Sequence, residues 1–154
     1  MDATLVNPFI EGTLHILSTT ALVKVKPEEP YIKKNKQANG DITGVLEIGG
    51  DLSGSAAVSF TEASILGIVS TMFGEEMAEI NDEITDAVGE ISNMIAGHVT
   101  TKIAEGGKQV KVKFSKVMTG SETEIQHADE TSPVLVLPFR TTQGRVVVEV
   151  CYPE

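Results

Sequence analysis

Hydrophobic side chains recur every three or four positions in three stretches of the chain, residues 5–21, 62–73 and 81–103. This spacing places apolar side chains on one side of an α-helix. Asn81 or Asp82 can cap the last helix at its start, and Gly106-Gly107 ends it. Its apolar stripe consists of Ile84, Val88, Ile91, Ile95 and Val99. The pattern therefore predicts three amphipathic helices.

The rest of the chain alternates between short apolar runs and turn residues, as strands and their connections do. Gly49-Gly50-Asp51 predicts a hairpin turn, and residues 141–144 predict a second turn. Residues 28–41 are polar and basic, which indicates a loop or an extended edge. The predicted strands are residues 21–26, 42–48, 52–60, 109–118, 133–139 and 145–151.

The order of these elements is one helix and three strands, an extra helix, and then one helix and three strands again. This order suggests a duplicated unit of one helix and three strands. Strands grouped in threes with short turns favour an antiparallel sheet covered by helices, hence an α+β fold. The length of 154 residues and the 41% hydrophobic content predict a single domain over residues 1–154.

The charge of the chain is −10 and is unevenly distributed. No Lys or Arg occurs between Lys36 and Lys102, whereas acidic residues are frequent there. Such a surface disfavours nucleic acid and anionic lipid, which bind through basic side chains, and favours a partner with exposed lysines. Acidic faces also confer solubility, which is the simpler interpretation of any one of these residues.

Neither an apolar run long enough to span a bilayer nor a basic, apolar leader is found, so we expect no membrane partner and a cytoplasmic protein. The single cysteine, Cys151, lies in an apolar strand pattern that predicts a packed thiol. Nucleotide-binding and serine-hydrolase motifs do not occur. His15, His98 and His127 lack the spacing of metal ligands, so no metal is expected, and His98 is interpreted as a satisfied packing residue.

The face of the 81–103 helix opposite its apolar stripe carries Asp86, Glu90, Asn93 and Gly97. Glu90 and Asn93 are three residues apart and therefore stand side by side on a helix. A carboxamide has a donor and an acceptor that can orient a water, and a carboxylate can bind a lysine or arginine. An ordinary solvated helix face is the alternative, because this spacing alone is a weak motif.

The sequence Asp86-x-x-x-Glu90-x-x-Asn93 within residues 86–97 resembles the characteristic helix of the CheC/CheX/FliY family of bacterial chemotaxis phosphatases. Residues 54–60, 71–74 and 117–120 are also similar to that family. The first helix has Glu11 but Leu14 three residues later, so the motif occurs only in the second half. This pattern resembles the CheX type. The proline of CheC-type members is missing from residues 113–116.

The resemblance implies a CheC-like fold and dephosphorylation of the aspartyl-phosphate on a CheY-like response regulator. Asn93 would position the attacking water, and Glu90 would pair with the active-site lysine of the regulator. The small residues Gly89, Ala96 and Gly97 would let the surfaces of this protein and the regulator approach closely. Asp86 would steer basic groups of the regulator or only solvate the helix. The resemblance implies no cofactor of the protein's own, Mg²⁺ on the partner regulator, and a homodimer. Long apolar strands such as residues 134–139 and 146–150 would leave an attractive sheet edge if not covered, which also favours a dimer.

Two other functions are compatible with the chain. The first is a non-catalytic adaptor or flagellar-switch module of the same fold that binds a response regulator without hydrolysing its phosphate. The second is a small-molecule-binding dimer, which is disfavoured because no cluster of polar and aromatic residues marks a pocket. Asn93 beside Glu90 favours the phosphatase, since pure binding requires no carboxamide that positions a water.

Overall fold

The protein is described by a computed structural model that covers residues 3–127 and 131–153. Its helices are α1 (Ala3–Thr19), α2 (Glu62–Phe73) and α3 (Asp82–Glu105). Its strands are β1 (Val25–Pro27), β2 (Tyr31–Ile32), β3 (Ile42–Gly50), β4 (Gly54–Phe60), β5 (Val110–Thr119), β6 (Leu135–Thr141) and β7 (Gly144–Cys151). These elements confirm the α+β class.

The strands form one antiparallel sheet in the order β1-β6-β7-β4-β3-β5, with β2 also paired to β6. The order is symmetric about its centre. β4 and β7 are the central neighbours, β3 and β6 flank them, and β1 and β5 lie outside. Each half of the chain therefore contributes an equivalent set of three strands, which confirms the predicted duplication at the level of topology.

The two faces of the sheet are covered differently. Val146, Val148 and Val150 on β7 pack in the same core as the apolar sides of the three helices. The alternate residues of a strand point to the opposite face. There, two connections pair with each other, through hydrogen bonds from Ala38 N to Thr123 O and from Ile125 N to Lys36 O, both 2.8 Å long. Helices thus cover one face of the sheet and loops cover the other.

The structure refines two of the predicted elements. The first strand begins later than residue 21, because residues 20–23 continue the last turn of α1 through bonds such as Val23 N to Leu17 O. Residues 28–41, predicted as a polar loop or an extended edge, contain the short edge strand β2, which agrees with the second alternative. They also contain a lysine with a buried side chain. The side chain of Lys33 is only 5% exposed because it pairs with Glu149.

Residues 134–139 and 146–150 do not leave an open sheet edge, so this reason to expect a dimer does not apply. β7 lies between β4 and β6, and the outer side of β6 is covered by β1 and β2. Among the described strands, β5 is an edge strand along its full length. Strand order depends on pairings between distant parts of the chain, which hydrophobicity within one strand does not specify.

Gly44 on β3 lets α3 lie close to the sheet. A Cβ atom at this position would be 2.9 Å from the Ser92 Cβ and still closer to the Ser92 Oγ. Ser92 is fully buried in α3, next in sequence to Asn93. The contact therefore fixes the height of the predicted site helix above the sheet.

We expect Gly44→Ala to lower the free energy of unfolding by about 1–3 kcal/mol, the usual cost of overpacking a core. Chemical denaturation followed by circular dichroism measures this. Gly49→Ala on the same strand is the matched control, because a Cβ there would meet nothing within 4 Å. Equal unfolding free energies for the two variants would contradict the close-contact argument.

Candidate functional site

The position of the site is set by the beginning of α3. The Asn81 side chain caps the helix by accepting a hydrogen bond from Ile84 N at 3.1 Å, and Asp82 and Glu83 lie in the first turn. Acidic groups stabilise the positive end of the helix dipole. The predicted apolar stripe is fully buried, with each of its residues 0% exposed. Burial of this stripe fixes which residues of α3 face outward.

Asp86, Glu90, Asn93 and Gly97 are all exposed, as the helical periodicity predicted. Glu90 and Asn93 occupy neighbouring turns on this outer face. Within residues 3–127 and 131–153, neither side chain has a hydrogen-bond or ion-pair partner. Their polar groups are directed to solvent beside an open groove.

The groove lies between α3 and the edge strand β5 and has a volume of about 640 Å³. The phenyl ring of Phe114 lies directly against α3 at Gly89, where a Cβ would be 3.1 Å from Phe114 Cζ. The small residue at position 89 thus allows the ring to form the groove wall. The lining residues are Thr85, Asp86, Gly89, Glu90, Asn93, Phe114, Lys116 and Val117.

A β-bulge shapes the wall contributed by β5. Phe114 is opposite Leu46 and Lys116 is opposite Val45, so Ser115 has no partner in the register with β3. The extra residue reverses the alternation of side chains, and Phe114 and Val117 both pack toward the helices. Phe114, Lys116 and Val117 were not predicted as site residues from the sequence. The sequence does contain a sign of them. Apolar and polar residues alternate through Val110, Val112 and Phe114, and this alternation breaks after Phe114, in the stretch that lacks the CheC-type proline.

Two of the small residues predicted to help docking, Gly89 and Ala96, are buried. Ala96 is 1% exposed and packs in the core, so it does not share the exposed surface of Asp86, Glu90 and Asn93. Gly89 is buried but lines the groove. Because α3 contacts β5 as well as β3 and α1, its buried arc is wider than the apolar stripe indicates.

Gly97 is exposed but belongs to a different surface. With His15 and His98 it lines a second groove, of about 340 Å³, between α1 and α3. The rings of the two histidines are 5.2 Å apart. Burial lowers the pKa of His98, and the nearby His15 lowers it further. His98 is a packing residue, as predicted. Its buried Nε2 has no hydrogen-bond partner among the described residues, so the predicted satisfaction of this side chain is not found there.

The described residues contain no group of three or more side chains of the kinds that hold a metal ion. In the same part of the chain, none of the helices combines the length and apolar character needed to cross a membrane. Cys151 is buried, as the strand pattern predicted.

A comparison with known families matches residues 42–140 to the chemotaxis phosphatase CheX family. This match covers more than half of the chain and contains the whole groove between α3 and β5. The chain belongs to the CheX family. The resemblance found in the residues of α3 is therefore confirmed.

Relatives of the chain include the CheY-P phosphatase CheX of Thermotoga maritima, 28% identical over 127 residues that make up 82% of each protein. A CheC-like superfamily protein from Shewanella sp. PV-4 is 31% identical, with full coverage of both chains and a TM-score of 0.90. This likeness confirms the CheC-like fold. A structure of CheX with CheY, BeF3 and Mg²⁺ from Borrelia burgdorferi has the same fold, at 19% identity, 97% coverage of each chain and a TM-score of 0.76.

Proposed function

We propose that this CheX-family protein hydrolyses the aspartyl-phosphate of a CheY-like response regulator. The observation that carries the proposal is the exposed pair Glu90 and Asn93, side by side on α3 in an open groove. The Thermotoga maritima relative, a CheY-P phosphatase, supports this substrate class.

In the proposed mechanism, Asn93 enters the active site of the regulator and holds a water in line with the phosphoryl group. A carboxamide suits this role because it can accept a hydrogen bond from the water and donate another to the phosphoryl oxygen. Glu90, one turn earlier, pairs with the active-site lysine of the regulator and fixes the approach of α3. Each residue is available to act on the partner, since neither side chain has a bonding partner among the residues that the structure describes.

The groove contains no strong nucleophile, and this chemistry does not require one. Phosphoryl transfer depends mainly on positioning and on stabilisation of charge, so an enzyme can act by completing the site of its partner. We propose that Mg²⁺ belongs to the regulator; the Borrelia burgdorferi structure contains CheY and Mg²⁺ together. The mechanism requires no cofactor bound by this chain.

The decisive experiment measures loss of phosphate from a purified, labelled CheY-like regulator with and without this protein. Acceleration by the wild-type protein supports the phosphatase. Binding of the phosphorylated regulator without acceleration would favour the adaptor or flagellar-switch module instead.

We expect Glu90→Gln to raise the KM for the phosphorylated regulator roughly tenfold, equivalent to about 1.4 kcal/mol of binding energy. The variant keeps the shape of the side chain but removes the charge that pairs with lysine. Steady-state phosphate release measures KM and kcat. Glu83→Gln is the matched control, because Glu83 is exposed on the same helix and does not line the groove. An unchanged KM for Glu90→Gln would exclude the lysine pairing.

We also propose a homodimer, on the grounds of the family resemblance. The free edge of β5 carries Lys111, Lys113 and Lys116, and charged side chains disfavour edge-to-edge pairing of strands. A dimer formed at another surface is therefore expected. Sedimentation equilibrium of the purified protein gives the assembly state directly.

A further inference from the structure

The groove beside Asn93 contains a cation that the proposed roles of Glu90 and Asn93 leave unused. Lys116 lines the groove together with the carboxylates of Asp86 and Glu90. It is exposed and has no ion-pair partner among the described residues. Lys116 is the one basic side chain among the described residues that line this groove.

Lys116 lies on the edge strand β5, directly after the β-bulge at Ser115. It is opposite Val45, whereas its neighbour Val117 is opposite Gly44 and packs toward the helices. Successive side chains of a strand point to opposite faces, so the two residues approach the groove from different sides of β5. Both line the groove because β5 is the edge strand that forms its wall.

The carboxylates of Asp86 and Glu90 in the groove define a role for Lys116. An aspartyl-phosphate carries negative charge, and it would approach a surface that already has two carboxylates. Repulsion between like charges weakens such an encounter, and a cation on the opposite wall offsets it. Asn93 lines the same groove, so a phosphoryl group next to Asn93 would lie within the field of Lys116.

We infer that Lys116 is a specificity-determining residue that favours the phosphorylated over the unphosphorylated regulator. This inference rests on the proposed function, since it takes the same groove and the same partner. Lys116 contacts the negative charge that phosphorylation adds, while Glu90 contacts a lysine present in both forms. The two residues therefore differ in their dependence on phosphate.

The test measures the affinity of wild-type and variant proteins for a CheY-like regulator, with and without BeF3⁻ and Mg²⁺, by fluorescence titration. We expect Lys116→Met to weaken binding of the BeF3⁻-loaded regulator roughly threefold to fivefold, the range of an exposed ion pair. Binding of the unloaded regulator should change much less. Lys116→Arg should retain the preference, and added salt should reduce the difference between wild type and Lys116→Met.

Lys113→Met is the matched control. Lys113 lies on the same strand opposite Glu47 and outside the groove, and its loss changes the net charge of the chain by the same amount. Equal effects of Lys113→Met and Lys116→Met, or equal weakening of loaded and unloaded regulator, would overturn the inference. Failure of the wild type to bind either form would overturn it together with the proposed function. Binding without phosphate hydrolysis would overturn only the phosphatase, and the effect of Lys116 on affinity would still be decided.

Discussion

Asn93→Ala is expected to reduce the phosphatase rate at saturating regulator by at least about 100-fold, while binding of the phosphorylated regulator is retained. The carboxamide acts only when it orients the attacking water, and loss of such positioning costs about this factor. Asn93 is exposed and makes no hydrogen bond within the described chain, so its removal breaks no internal contact. Ala is also the better helix former, and the variant should be slightly more stable.

Single-turnover decay of labelled regulator phosphate measures the chemical step, and a separate titration with BeF3⁻-loaded regulator measures binding. Thr101→Ala serves as a control for truncation of an exposed polar residue on α3 outside the groove. Asn93→Asp keeps the shape of the side chain but replaces the donor with a negative charge, and it should also be inactive. Equal loss of binding and of rate in Asn93→Ala would eliminate the water-positioning role.

Lys33→Met is expected to lower the free energy of unfolding by about 3–5 kcal/mol, because it leaves a buried carboxylate without its main cation. Glu149 is 0% exposed, and Lys33 Nζ lies 2.9 Å and 3.1 Å from its two carboxylate oxygens. His127 Nε2 is 2.7 Å from Oε2, and Asn39 Nδ2 donates to Oε1 at 3.3 Å. Ser55 Oγ lies 2.7 Å from the other ring nitrogen of His127. Lys33 and Asn39 lie in the connection before β3, and His127 lies in the connection between β5 and β6. The network therefore joins both connections to the sheet face opposite α3.

Urea denaturation of the variants provides the measurement. Arg140→Met is the matched control, because the pair Arg140–Glu28 is exposed and should contribute only about 0–1 kcal/mol. The double variant Lys33→Met with Glu149→Gln should be less destabilised than the sum of the two single variants, since no charge remains buried alone. A cost for Lys33→Met no larger than that for Arg140→Met would disprove the structural role of the network. Phosphatase activity of the folded fraction should be unchanged.

The same network makes stability dependent on acid. Burial of Glu149 raises the pKa of its carboxyl group, but the hydrogen bond from His127 and the charge of Lys33 outweigh burial and hold the pKa below the ordinary value of 4.5. An acid whose pKa is lower in the folded than in the unfolded protein stabilises the fold. This contribution to the free energy of unfolding is complete above the pKa of the unfolded state and is lost as the pH falls through the pKa of the folded state. The difference in unfolding free energy between wild type and Glu149→Gln should therefore shrink below about pH 4.5.

The outward face of α3 could be predicted because it depends on local sequence alone. A helix rotates by about 100° per residue, so the apolar residues Ile84, Val88 and Ile91 determine which side is buried and leave Glu90 and Asn93 outside. The cap at Asn81 and the glycine-limited end are also local features. The family resemblance lies in this same continuous segment, which explains why it was recognisable before any tertiary contact was known.

The sequence by itself thus determined the helices, the duplicated strand pattern and the exposed Glu90–Asn93 pair, because each depends on a period within one segment. Only the tertiary structure decided the groove wall, the burial of Ala96 and the partner of Glu149. Phe114 and Lys116 line the groove because β5 pairs with β3, and the bulge between them is defined only by that pairing. Lys33 and Glu149 are 116 residues apart in sequence, and their pairing depends on how the chain returns across the sheet. Contacts between distant segments follow from strand order and layer packing, and these are properties of the whole fold.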